Sequence, residues 1–387
     1  MAPLICAALA LLTPLQYRRP AANFIRAPPI LLRPAIDGPT GQLDEADSLR
    51  AEIQNDLGHR RLREAALGLT RLARLTNSLP EPQLYDAALA AFTAAPSQHR
   101  LVMRLAALHD SYPSTETPPS SEAAEAFVVS AAEQKLWSAS LGWWEQLGAD
   151  AIAASIPARE AAVHSMARVG RYAQAEALLK QVEPTARGLR LVLSACAAQQ
   201  ERVGAATRSK AAGGLTAAAL ARHSFTLATD AEVADASMLR DCLSTCADAG
   251  EHADGLALLS SAPLNLHADA AVETLAGILH GGRGDAAASI AALHRARRAS
   301  ATAPAVAESL PPPLVPSRHL ETLFLACARA GCWRDARWLL RASAGEENAL
   351  TPAAAAAALA ACAQSSDGSL STMRNQRRLA LSAVATY

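Results

Sequence analysis

Two short segments of the chain carry residue types that could perform metal or acyl chemistry. Cys242 and Cys246 are one helical turn apart, with His252 close behind them, and thiolate and imidazole groups are ligands that zinc prefers. Because the sequence has no Cys-x-x-Cys pair, a buried apolar role between helices explains these thiols better than a metal site does. The segment HGGRGD at 280–285 resembles the glycine run of an oxyanion hole, but a helix turn explains its glycines better.

Other motifs for catalysis or nucleotide binding are missing from the sequence. It has no P-loop, no GxGxxG after a strand, no HExxH and no GxSxG. We therefore expect a protein that is not an enzyme and that holds no metal ion or cofactor. Basic and acidic residues number 36 each. The chain as a whole therefore lacks the excess of positive charge that is typical of strongly basic nucleic-acid-binding proteins.

Internal repeats indicate which elements position the polar residues. Gly170, Gly250 and Gly331 are each followed after four residues by a small residue, and after two more by a pair of large residues, Leu-Leu. Weaker copies of this pattern around Lys135 and Gly284 reduce the period to 34–35 residues. Further turns are expected near Arg60, Pro96, Gln200 and Ser366.

The repeat pattern predicts two helices in each unit, joined by a tight turn. Glycine marks the turn because it adopts left-handed backbone angles at little cost. A single helix pair cannot bury its apolar face, so successive pairs must stack. The expected fold is all-α, an α-solenoid of about nine helix–turn–helix repeats of 34–35 residues stacked into a superhelix.

Four of the cysteines occupy one position of the repeat. Cys196, Cys246, Cys327 and Cys362 each lie four residues before a turn, in the first helix of a unit. We predict that all four are buried at equivalent places on successive first helices, because free cysteine behaves as a small apolar residue.

The amino-acid composition agrees with a helical fold. About a quarter of the residues are alanine, and only 4 % are aromatic, while 51 % are hydrophobic. Alanine is the best helix former and a poor strand former, which makes a sandwich, a barrel or a doubly wound sheet a poor interpretation. The apolar content and the zero net charge argue against disorder.

The first 45 residues predict a cleavable organelle-targeting presequence and linker. Met1–Leu15 contains an apolar run too short to span a bilayer, and the next segment carries arginine and no acid up to residue 36. This order resembles the bipartite presequences of algal plastids, with a mitochondrial presequence or a secretory signal as alternatives. We expect a plastid protein, alternatively a mitochondrial one, with no membrane contact in its mature form.

Three parts of the chain are expected after this comparison of units. They are the presequence and linker at 1–45, weak N-terminal helical repeats at 46–120, and a repeat array at 121–387 with insertions at about 213–226 and 301–316.

The repeats resemble the pentatricopeptide repeat family, the organellar RNA-binding α-solenoids. The likeness rests on the segments LACARAGCWRDARWLL, STCADAGEHADGLALL and HSMARVGRYAQAEALL, and on proline-containing joins such as ALTP at 349–352. It covers about residues 82–387. Tetratricopeptide repeats rank second, because their Trp, Leu-Gly and Tyr in the first helix are missing here. The resemblance implies a non-catalytic protein that acts on single-stranded organellar RNA in transcript processing, stability or translation.

In this family two residues of each unit recognise one base from the inner face, one ten positions before the turn and one just ahead of the next first helix. Carried over by position, the pairs are Glu125 with Ser155, Glu160 with Thr185, Arg190 with Asp235, Arg240 with Asp269, Thr274 with Pro316, and Glu321 with Thr351. The resemblance implies that the RNA-binding candidates among these are Arg190, Asp235, Arg240, Asp269 and Thr274.

Two functions stay open from the sequence alone. Arg190 and Arg240 could stack on bases or bind phosphate, or they could simply pair with neighbouring carboxylates. Glu125, Glu160 and Glu321 would repel phosphate in an RNA groove. The alternative to RNA binding is therefore a helical-repeat scaffold that binds a protein partner in an organellar complex.

Overall fold

The chain folds into helices arranged in sequential pairs. The computed structural model describes residues 39–95, 98–112, 119–148, 151, 153–181, 185–203, 215–302, 317–332, 334–336, 338–339 and 352–363. Across these ranges the regular elements are all helical and no β-strand occurs. No helix within this described part is both long and apolar enough to span a membrane.

Sixteen helices have defined bounds. Helices α1 to α8 are Pro39–Gly58, Leu62–Thr76, Pro82–Ala94, His99–Ser111, Ser121–Glu133, Trp137–Leu147, Ile156–Arg168 and Tyr172–Gln181. Helices α9 to α16 are Ala186–Val203, Ala217–Asp230, Ala236–Ala249, His252–Ser261, Ala270–Gly282, Ala286–Thr302, Ser317–Ala330 and Pro352–Ala363. A short 3-10 helix, Leu264–Ala268, joins α12 to α13.

The helices form repeat units of a first and a second helix. Unit 1 is α1 with α2, and the series continues to unit 7, which is α13 with α14. Helices α15 and α16 are the first helices of units 8 and 9. Each first helix packs on the first helix of the following unit. The predicted all-helical α-solenoid is confirmed, with nine first helices among the residues that the structure describes.

The turn inside units 1, 3, 4, 6, 7 and 8 has one repeated hydrogen-bond pattern, which also occurs at Glu232 between α10 and α11. The backbone N–H of Glu251 donates to the Cys246 carbonyl over 2.9 Å, and that of Gly250 donates to Ala247 over 3.1 Å. This is the Schellman arrangement that ends a helix with one left-handed residue. The same two bonds recur at five further turns, whose left-handed residues are Arg60, Lys135, Gly170, Gly284 and Gly331. The turn register taken from the sequence is therefore confirmed at these positions.

Lys135 occupies a turn position that suits glycine, with φ at 60°. We expect Lys135→Gly to raise the free energy of unfolding by about 1 kcal/mol, because a left-handed conformation costs a residue with a Cβ about 1–2 kcal/mol. Urea unfolding followed by circular dichroism measures the change. Gly250→Ala, at a φ of 75°, is the reciprocal control and is expected to lower stability. A loss of stability in Lys135→Gly would contradict the assigned turn.

Small residues recur at one position of the second helices, where they allow close contact with the first helices. Cys196, Cys246 and Cys327 are completely buried in α9, α11 and α15. A Cβ on Gly255 in α12 would lie 3.1 Å from the Cys246 Cβ and 3.0 Å from the Leu279 side chain. The small residue of the second helix thus lets that helix approach the cysteine of the first. The predicted burial is confirmed for these three cysteines, and the Cys362 side chain lies outside the described residues.

The unit boundaries differ from the sequence analysis at two places. The turn expected near Gln200 is wrong, because α9 continues to Val203. The insertion placed at 213–226 is also displaced, since Ala217–Asp230 forms α10, the second helix of unit 5. The extra residues instead fall within unit 5, between the end of α9 at Val203 and the start of α10 at Ala217. The other insertion, at 301–316, and the turns near Pro96 and Ser366 lie largely outside the described residues.

The N-terminal boundary also falls earlier than expected. Helix α1 begins at Pro39, inside the segment 1–45 that the sequence assigns to the presequence and linker. Residues 1–38 lie outside the described residues, so the targeting segment itself stays a prediction.

First and second helices form two layers. The first helices from α1 to α16 make one continuous row, each in contact with the next. Second helices pack mainly on the first helices of their own and the following unit. From unit 3 onward the first helices contact one another more closely than the second helices do. We therefore call the row of first helices the inner face of the stack and the row of second helices the outer face.

Candidate nucleic-acid interface

Residues predicted to act in pairs meet across the joins between units. The Ser155 backbone N–H donates to the Glu125 Oε2 over 3.0 Å. The Thr185 hydroxyl donates to the Glu160 carboxylate and accepts from the Gly188 N–H at the start of α9. The residue ten positions before a turn is therefore beside the residue that precedes the next first helix, as the two-residue alignment requires.

The third pair, Arg190 and Asp235, joins units 5 and 6. Arg190 in α9 donates from Nη2 and Nε to the Asp235 Oδ2, over 2.7 and 3.0 Å. The other carboxylate oxygen, Oδ1, accepts from the Met238 N–H over 2.9 Å and so caps the N-terminus of α11. Arg190 remains 55 % exposed, which leaves part of the guanidinium open to a ligand.

The environment of Asp235 favours its charged form. Burial raises the pKa of this carboxyl, but the hydrogen bonds from Met238, Ser237 and Arg190 outweigh it and hold the pKa below its ordinary value. The carboxylate therefore stays ionised at neutral pH, as both a helix cap and an acceptor.

Asp235 should contribute stability through its cap. We expect Asp235→Ala to lower the free energy of unfolding by about 1 kcal/mol, because the first-turn N–H of Met238 loses its acceptor. Asp235→Asn retains an acceptor oxygen and should lose less. Because the native pKa is lowered, the stabilisation is present above the ordinary carboxyl pKa and is lost as pH falls through the lowered value.

Unfolding measured in urea from neutral to acidic pH checks this prediction. The wild-type protein should lose its advantage over Asp235→Ala as the pH falls. An advantage that grows on acidification would contradict a charged cap at Asp235.

The pair of Arg240 and Asp269 is not joined in the same way. Arg240 is exposed on α11, and it makes no ion pair within the described part of the chain. Asp269 caps α13, where its Oδ1 accepts from the N–H groups of Ala271 and Val272 over 2.8 and 3.1 Å. Arg240 is thus an available cation, while Asp269 has a structural role at a helix start.

Thr274 is a correction to the candidate set. It is 4 % exposed, and its hydroxyl donates to the Ala270 carbonyl of its own helix over 2.8 Å. A base cannot reach the Thr274 hydroxyl in this arrangement. Its partner position, Pro316, and the Thr351 partner of Glu321 lie outside the described residues.

Two contacts join first helices that are two units apart. The Asp248 Oδ1 in unit 6 lies 2.9 Å from the His319 Nε2 in unit 8, and both side chains are buried. The Glu133 Oε1 in unit 3 lies 3.2 Å from the Arg187 Nη2 in unit 5. Glu133 and Asp248 both stand two residues before their turns. Each contact crosses the first helix of the unit that lies between, which is α7 for Glu133 and α13 for Asp248. The contact narrows the inner face at that helix.

Two exposed arginines lie on the neighbouring first helices α9 and α11. Before them come Glu125 and Glu160, whose carboxylates are engaged by neighbouring residues. Arg190 and Arg240 each stand six residues before the buried cysteine of their helix, Cys196 and Cys246, and both are exposed. A guanidinium can bind phosphate or stack on a base. The accessible part of this surface therefore suits a short anionic ligand.

The cysteine and glycine segments have structural roles. Burial raises the pKa of the Cys196 thiol to about 12, which keeps it neutral. Among the described residues no group of three or more His, Cys, Asp or Glu side chains is placed to hold a metal ion. In the segment 280–285, Gly284 forms a left-handed turn with φ at 85°, and Asp285 caps α14 through the Ala288 N–H.

The contacts between units two apart were not predicted from the sequence. The shared position of Glu133 and Asp248 is visible when the units are aligned. Their partners, Arg187 and His319, are not at the same position of the repeat, and only the curvature of the stack brings them within reach.

Comparison with known proteins gives a limited likeness. No protein-family model matches the chain, and no curated protein matches it. Among solved structures, the pentatricopeptide repeat protein PPR10 from maize is similar, with 16 % identity and a TM-score of 0.36 over 87 % of this chain. The chain spans about half the length of that protein, covering 51 % of it. By its own turn register and helix order, the chain is a helical-repeat protein similar in architecture to pentatricopeptide repeats.

Proposed function

We propose that this chain is a non-catalytic RNA-binding protein that uses the inner face around α9 and α11. The observation that supports the proposal is that the paired residues of neighbouring units lie side by side, above all Arg190 and Asp235, which are in contact. Recognition of one base by two side chains requires such side-by-side placement. The exposed Arg240 adds a second cation to the same row.

The chemistry of these groups suits single-stranded RNA. A partly exposed guanidinium can stack on an unpaired base or bind its phosphate, and an ionised carboxylate accepts from a base amino group. Because the contacts at Asp248 and Glu133 narrow the inner face elsewhere, we propose recognition of a short RNA segment. The transcript role is processing, stability or translation in an organelle, with the plastid as the proposed location and the mitochondrion as alternative.

Crosslinking in isolated organelles tests this function. The tagged protein is irradiated in place, purified under denaturing conditions, and its attached RNA is sequenced. We expect a small set of transcripts enriched over a protein that carries Arg190→Ala and Arg240→Ala. RNA recovery no greater than that from an untagged organelle would count against RNA binding.

A protein scaffold is the second candidate, and one observation favours it. The inner face before α9 carries Glu125, Glu133 and Glu160, which would repel phosphate. A partner bound there should remain attached in stoichiometric amount after nuclease treatment. Loss of all co-purifying components after nuclease favours RNA instead.

A further inference from the structure

The second helices of units 1 and 2 expose a group of arginines on the outer face. On α2, Arg63, Arg71 and Arg74 are exposed and lie on the side opposite the buried residues of that helix. Helix α4 packs against α2 and exposes Arg100 and Arg104 one turn apart. These five arginines are called the outer arginine face below.

The outer arginine face is not neutralised by neighbouring carboxylates. None of its five members makes an ion pair within the described part of the chain, whereas Arg222, on another second helix, contacts both Glu251 and Asp254. Helices α2 and α4 carry only two acidic residues, Glu64 and Asp110. The adjacent first helix α1 has five acidic residues and one arginine. Charge is thus separated, with acid on the inner layer and base on the outer layer.

The dimensions and composition of this surface fit a chain of phosphates. Arg63 and Arg74 are eleven residues apart, which spans about 16 Å of helix. Guanidinium groups bind phosphate oxygens in a planar, two-point geometry. Leu67, at 56 % exposure, is the one large apolar side chain exposed on α2 and α4. A stable protein interface needs a larger apolar centre than one leucine.

We propose that the outer arginine face binds the phosphate backbone of RNA without base specificity. This inference rests on the proposed function, because it gives the same RNA a second contact outside the inner face. The acidic α1 repels RNA from the inner layer of unit 1, while the outer layer of units 1 and 2 attracts it. The outer face would supply general affinity, and the inner face around Arg190 would supply the choice of base.

Binding of a short single-stranded RNA of random sequence to the full chain tests the proposal. One variant carries Arg63→Ala and Arg71→Ala, and a second carries Arg100→Ala and Arg104→Ala. The control carries Arg171→Ala and Lys180→Ala, which removes two positive charges around helix α8 that already pair with Glu145 and Glu176. Circular dichroism confirms that each exposed-residue variant is folded.

Each outer-face variant should bind RNA about tenfold more weakly at low salt and should lower the salt slope by about two units, while the control does neither. Outer-face variants that bind like the wild type would overturn this inference. The proposed function would still stand in that case if Arg190→Ala with Arg240→Ala lost affinity. A wild-type chain that fails to bind RNA at low salt overturns both. A further outcome is that the outer-face variants bind RNA like the wild type but lose a protein that co-purifies with the wild type after nuclease treatment. That result would assign the face to an acidic protein and also overturn the inference.

Discussion

The double change Arg190→Ala and Arg240→Ala is expected to reduce RNA affinity at least about tenfold at moderate salt. Both side chains are exposed cations on the inner face, so their loss removes two contacts to phosphate or base. Removal of Arg190 also leaves the Asp235 carboxylate without its partner, which adds repulsion toward phosphate. Fluorescence anisotropy with a short labelled RNA measures the change across a salt series.

The matched control for this change lies on the outer layer. Arg171→Ala with Lys180→Ala removes the same amount of charge from groups that pair with Glu145 and Glu176, so RNA affinity should remain within about twofold of the wild type. Equal affinity of the inner-face variant and the control, with both folded, would contradict the assignment of the inner face.

The second large effect concerns the packing of the two helices of unit 3, α5 and α6. We expect Phe127→Ala to lower the free energy of unfolding by about 3–5 kcal/mol, because a fully buried ring is replaced by a cavity. The Phe127 ring in α5 lies 4.8 Å from the Trp143 ring in α6. In a repeat array each unit is stabilised by its neighbours, so damage at unit 3 should also separate the unfolding of the units on either side.

Urea unfolding followed by circular dichroism measures this effect. The wild type should unfold in a steeper transition than Phe127→Ala, which should show an earlier and broader one. Leu264→Ala, at a position that is 85 % exposed, is the control and should change stability by no more than about 0.5 kcal/mol. A loss below about 1 kcal/mol in Phe127→Ala, with an unchanged slope, would contradict tight packing of α5 on α6.

The local parts of the fold could be predicted because they depend on short sequence patterns. A left-handed turn such as that of Gly170 needs glycine or a tolerated substitute, and the small residue at Gly255 needs close helix approach. Both patterns recur at nearly constant spacing, so they predicted even the turn at Lys135, where lysine replaces glycine. The prediction of a turn near Gln200 was wrong because helix α9 has no residue that ends it there. The extra residues of unit 5 lie between its two helices instead.

The candidate site could be predicted only where neighbouring units interact. The contact of Arg190 with Asp235 follows from the register of adjacent units, and the structure places these residues together. The burial of Thr274 and the contact of Asp248 with His319 depend on how strongly the stack curves. Curvature is the sum of small rotations at every join, and no single residue in the sequence specifies it.

Mapping the peptides that crosslink to RNA shows whether α9 and α11 bind it. Purified full-length protein is irradiated with a short single-stranded RNA and digested, and the nucleotide-bearing peptides are identified by mass spectrometry. We expect adducts on peptides from α9 and α11, around Arg190, Asp235 and Arg240, that disappear in the double arginine variant. Adducts spread evenly over the chain, or found on other first helices with α9 and α11 unmodified, would contradict RNA binding at this face.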